Sequence, residues 1–114
     1  MHELQVTEKI YQMVTKIVER EQPKRVVSIT IQMGEGCDYV PEIIEEYLNL
    51  FAEGTVIYGA GIIARLVPTQ IGCRSCGGAF PKDLTMRVCP NCGSKRLWPM
   101  IYTDLTVENI EMEY

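Results

Sequence analysis

Along residues 4–20, Ile10, Met13, Val14, Ile17 and Val18 recur at spacings of three and four, with Leu4 in reach one and two turns earlier. That period predicts a helix with one buried stripe. Glu3 and Glu8 lie near its start, where the helix dipole favours negative charge, and Pro23 forbids continuation. Val27, Ile29, Ile31 and Met33 then alternate with Ser28, Thr30 and Gln32, the period of two expected of a strand, which Gly34 and Gly36 close. A second helix opens at Pro41 and carries Val40, Ile43, Ile44, Tyr47, Leu48 and Phe51 on one face, opposite Glu42, Glu45, Glu46 and Asn49, with Gly54 as its stop. A strand at 62–68 turns Ile62, Ala64 and Leu66 one way. Because a helix joins it to the first strand, the two are expected to run parallel. A last strand covers 103–112, where Leu105 and Val107 share one parity and Ile110 and Met112 the other, so a bulge near Glu108-Asn109 is expected. The predicted fold is α+β: two helices packed on one face of a three-stranded mixed sheet, with residues 71–102 inserted between two strands.

The insertion has its own logic. It contains Cys73-Arg74-Ser75-Cys76 and, twelve residues later, Cys89-Pro90-Asn91-Cys92. Each C-x-x-C lets two thiolates of one turn grip a single ion, and two such turns complete the tetrahedral sulfur shell that zinc takes in structural sites. Gly77 and Gly93 follow the second cysteine of each pair, where the chain needs unusual dihedrals. Ile71, Phe80, Leu84, Met86, Val88, Leu97 and Trp98 are too few apolar groups to fold this segment by burial alone, and metal binding supplies the deficit. Four cysteines leave no ligand position open, so the predicted role of Zn(II) is structural and a zinc enzyme is excluded.

Composition and charge narrow the remaining choices. The 114 residues are 46% hydrophobic and 23% charged, values of an ordinary globule, and no apolar run approaches the ~20 residues of a membrane span. The opening residues lack the basic flank and apolar stretch of a secretory signal, so the expected location is cytoplasmic, where thiols stay reduced. Net charge is −4, but residues 71–102 hold five basic residues against one acidic, and the rest holds six against fourteen. A general nucleic-acid binder needs a broad basic footprint, which this chain lacks.

His2 is the only histidine. A metal on its imidazole can also take the His2 amide nitrogen and the free amine of Met1, and the Glu3 amide or carboxylate can complete a square. Such a flat, nitrogen-rich site suits Ni(II) or Cu(II) and not zinc. An ordinary imidazole titrates at about 6.5 and an ordinary α-amine at about 8, so protons compete with metal as the pH falls.

The opening Met1-His2-Glu3-Leu4, the Gly34-Glu35 and Val40-Pro41-Glu42 elements, Gly54-Thr55, Val67-Pro68 and the paired C-x-x-C motifs together resemble the HypA family of nickel metallochaperones for [NiFe]-hydrogenase maturation. The resemblance runs end to end. It implies no enzymatic activity, a nickel ligand at His2 with Met1 and Glu3 as contributors, and structural zinc on Cys73, Cys76, Cys89 and Cys92. It also implies a HypB-type GTPase partner and delivery of Ni(II) as cargo to the hydrogenase large subunit precursor. On this reading residues 1–70 plus 103–114 form the nickel-binding domain and 71–102 the zinc-binding domain. Neither a nucleic acid nor a membrane is an expected partner, and the chain is expected as a monomer or weak homodimer. Where family members usually read Gly-Glu-Leu-Ser, this chain has Gly34-Glu35-Gly36-Cys37, which places the fifth cysteine just before the second helix. The alternative, from a different class, is a zinc-ribbon interaction or nucleic-acid-binding module in which His2 is incidental.

Overall fold

The first helix is amphipathic and its end is set locally. In the computed structural model, which describes residues 2–114 apart from the His2 side chain, α1 spans His2–Glu21. Met1 and the His2 imidazole, two of the expected nickel donors, therefore lie outside the described residues. Gln22 takes a positive φ of 50°, its N–H donates to the Val18 carbonyl at 2.8 Å, and Pro23 then prevents another turn. Ile10 and Val14 are buried as the stripe predicts, whereas Met13 is 47% exposed and Thr7 takes a core position instead. Thr7 is tolerated there because its hydroxyl donates to the Glu3 carbonyl one turn earlier.

Strand β1 spans Arg25–Gly34 and is the centre of a three-stranded mixed sheet of order β2-β1-β6, with β2 at Gly61–Val67 and β6 at Leu105–Glu113. Backbone bonds at the ends of β1 give the directions. The amides of Val26 and Glu35 donate to the carbonyls of Val56 and Val67, so β1 and the chain through β2 run the same way. The amides of Lys24 and Gly34 donate to Glu113 and Asp104, so β6 runs against β1. Ile29, Ile31 and Met33 are buried as predicted. Val26 is buried too, and Val27 is only half-buried, so the alternation begins one residue out of phase. In β6 the half-buried residues are Leu105, Val107, Ile110 and Met112, with exposed Glu108 and Asn109 adjacent, so the parity changes where the sequence says it does. Ile62 and Ala64 of β2 are half-buried, but Leu66, which shares their parity, is 58% exposed.

Helix α2 spans Pro41–Ala52 and buries Ile44, Leu48 and Ala52, while Ile43 and Tyr47 flank this stripe half-buried. Phe51 meets Tyr11 of α1 at 6.0 Å between ring centroids. Gly54 follows with φ 81°, the left-handed turn that a glycine stop provides. Ile57 and Ala60, in the connection to β2, complete the core.

The chain divides into two compact units. The first comprises the residues up to Gln32, Asp38–Arg65 and Leu105–Tyr114, and holds both helices. The second comprises Met33–Cys37 and Leu66–Asp104. Its framework is a small antiparallel sheet of order β4-β3-β5, with β3 at Gln70–Cys73, β4 at Ala79–Pro81 and β5 at Leu97–Met100. Ile71 pairs with Phe80 on one side and with Pro99 on the other. Leu84 is 87% exposed in this unit, as the shortage of core-forming residues predicts.

Candidate metal centres

The four paired cysteines converge in the second unit. Cys73 ends β3, and Cys76, Cys89 and Cys92 lie in the turns that follow. Their sulfurs all lie within 4.8 Å of one another. Cys73 and Cys92 are 3.6 Å apart, as are Cys76 and Cys89. Bonds of about 2.3 Å to a tetrahedral zinc place sulfurs about 3.8 Å apart, whereas a disulfide holds them near 2.05 Å. The spacing therefore suits a metal shell, and all four thiols are free.

Two knuckles of matching design shape this cluster. The Cys73 amide donates to the Gly78 carbonyl at 3.0 Å, and the Gly77 amide donates back to the Cys73 carbonyl at 2.9 Å. In the second knuckle the Cys89 amide donates to the Ser94 carbonyl at 2.8 Å, and the Gly93 amide to the Cys89 carbonyl at 2.8 Å. Gly77 and Gly93 have φ of 75° and 76°, and a Cβ at either position would meet nothing within 4 Å. Glycine is required there for its dihedral alone. The Ser75 and Ser94 hydroxyls join the knuckles at 2.8 Å, a contact that the cysteine spacing alone does not signal.

The electrostatics call for a cation. Backbone N–H groups, chiefly that of Cys76, hold the Cys73 thiol down at about 6. The Gly78 amide, then Asn91, lowers Cys76. Cys92 is lowered by the Ser94 amide, but burial and three neighbouring sulfurs outweigh this and push it up to about 12. Charge on the first sulfur opposes charge on the last until a metal compensates both.

Around the other candidate, Glu3 is described. Its carboxylate accepts the Val40 amide at 3.0 Å, and its own backbone amide and that of Val40 hold it below the usual carboxylate range. Val40 is the N-cap of α2, with no side-chain cap of its own. Cys37 lies apart from the four-sulfur cluster: its thiol donates to the Thr103 carbonyl at 2.8 Å.

With this geometry in hand, the comparisons with known proteins agree with one another. The family model described as "Hydrogenase/urease nickel incorporation, metallochaperone, hypA" matches residues 1–112. A hydrogenase maturation factor HypA from Caldanaerobacter subterraneus subsp. tengcongensis is 31% identical over 114 residues, covering 99% of this chain and all of that one. Another from Dechloromonas aromatica is 29% identical with the same coverage. Among solved structures, the Ni metallochaperone HypA from Helicobacter pylori has a TM-score of 0.62 at 18% identity, covering 97% of each chain. A second HypA solution structure has a TM-score of 0.73 at 20% identity, covering 98% of this chain and 96% of that one. These structural likenesses show a shared fold.

Proposed function

Because the chain belongs to the HypA family of nickel metallochaperones for hydrogenase maturation, we propose that it carries one Ni(II) at its N-terminus and delivers it to the [NiFe]-hydrogenase active site. It is not an enzyme. Met1, His2 and Glu3 hold the cargo ion in this reading, and Cys73, Cys76, Cys89 and Cys92 hold a structural Zn(II). The observation that carries it is the full-length family match combined with a helix that begins at His2. The first amides of a helix have no carbonyl one turn back to bond, so those of His2 and Glu3 need break no intrahelical bond to bind metal. The positive end of the helix dipole opposes a cation at the same place, which favours loose binding and release.

Labour is divided accordingly: residues 1–70 plus 103–114 handle nickel, and 71–102 hold zinc. The donor chemistry supports the sorting, since soft sulfur in a tetrahedron suits zinc and a flat nitrogen set suits nickel. A HypB-type GTPase and the hydrogenase large subunit precursor are the proposed partners, met in the cytoplasm by a monomer or weak homodimer. No helix among the described residues is long and apolar enough to cross a membrane. Calorimetric titration of nickel into untagged, zinc-loaded protein tests the proposal. One equivalent should bind, and His2→Ala should abolish it while leaving zinc content unchanged; equal nickel uptake by the variant would overturn it.

A further inference from the structure

The second unit carries a cleft of about 430 Å³ beside its metal-binding turns, and two arginines line it. The Arg74 amide donates to the Arg96 carbonyl at 2.9 Å, so the backbone fixes the two residues side by side. Arg74 lies over the Trp98 ring, 4.9 Å from its centroid. Trp98 in turn rests on Gly72, where a Cβ would come within 2.6 Å of the indole nitrogen and 3.0 Å of the Met100 sulfur. Only glycine leaves room for the indole at this point of β3.

Neither guanidinium has a carboxylate partner among the described residues, although Arg20, Arg25, Arg65 and Lys82 all do. The Trp98 N–H likewise donates to no group among them. Two neighbouring guanidinium groups, one of them laid over the indole, form a receptor for carboxylates, since the guanidinium fork matches the two oxygens of a carboxylate. The geometry points to a docking site for an acidic peptide segment of a partner protein, held by Arg74 and Arg96 over the Trp98–Gly72 platform. A cleft of this size holds a few side chains rather than a folded surface. Single-stranded nucleic acid fits less well, because Arg74 already occupies one face of the Trp98 ring on which a base would stack. The five basic residues of 71–102 also make a small footprint for phosphates.

Trp98 is the only tryptophan, so its fluorescence reports on this cleft alone. Zinc-loaded protein is titrated at fixed ionic strength with end-capped hexaglutamate, hexaglutamine, inorganic phosphate and a single-stranded oligothymidylate. Hexaglutamate should give a saturable change in Trp98 emission, and hexaglutamine none. Arg74→Gln and Arg96→Gln should each weaken the response by about tenfold. Arg87→Gln, which removes the same charge elsewhere, should leave it intact. Zinc content is measured for every variant, and Arg96→Gln carries the test if Arg74→Gln fails to retain metal. The proposal is overturned by an absent or unsaturable response, by equal weakening in Arg87→Gln, or by tighter binding of phosphate or the oligonucleotide than of hexaglutamate.

Discussion

At Gly77 and Gly93 a single backbone angle decides whether a metal knuckle closes. An L side chain at that angle costs about 1–2 kcal/mol, so Gly77→Ala should loosen the metal measurably in competition with a chelator, and Gly77→Asn should do so less. The thiols beside these glycines set an acid limit. Metal binding requires thiolates, and with Cys92 pushed up by burial and its neighbouring sulfurs, proton competition should weaken the metal's hold as the pH falls. Following metal release with a colorimetric indicator from pH 8 downward checks this, and retention far below pH 5 would contradict it. Both cysteine pairs and their glycines were readable in the sequence because spacing alone encodes a turn that points sulfurs inward. Thr7 was not: its burial depends on a hydroxyl bond to Glu3 within the helix, and no hydrophobic pattern marks such a residue.

Among elements, α2 shows how one segment completes another. A glutamate three residues into a helix often reaches back to the N-cap amide, but here that position is Ile43. Glu3 of α1 supplies the missing carboxylate to Val40 instead. Glu3→Ala should therefore lower the stability of the first unit, read as a drop in the urea midpoint, and Glu3→Gln should lower it less. Leu48→Ala, at the centre of the buried stripe, should cost about 2–5 kcal/mol. The α2 face and the parity change in β6 were legible because burial repeats at the period of each element. Met13 and Leu66 share the inward period yet are exposed, since periodicity shows which side chains align and not how far the packed layer extends over them. The small β4-β3-β5 sheet was illegible for a related reason. Its strands are three or four residues long, too short to show a period.

On the scale of the whole molecule, two forms of stability coexist. The first unit buries Ile10, Val14, Ile29, Ile31, Ile44 and Leu48, while the second has little core beyond its cysteines. Stripping metal with a chelator should therefore unfold the second unit and leave the helical signal of the first nearly intact in circular dichroism; simultaneous loss of both would refute this independence. Acid adds a second effect in the same unit. Lys82 chiefly, with the Thr69 amide, holds the Glu35 carboxylate below its ordinary value, so its contribution is full at neutral pH and lost as the pH drops beneath the usual carboxylate range. The stems of the metal-binding segment meet at this residue. Consecutive amides of Glu35 and Gly36 take the carbonyls of Val67 and Tyr102, and a Cβ on Gly34 would strike the Tyr102 carbonyl. Entry and exit are thus neighbours on one short stretch of backbone, and the segment is in effect a cassette. A few flexible residues could bridge the gap in its place, and closing so short a ring costs little chain entropy. Such a miniature would test the proposed nickel capture by the first unit apart from the proposed docking chemistry of the second.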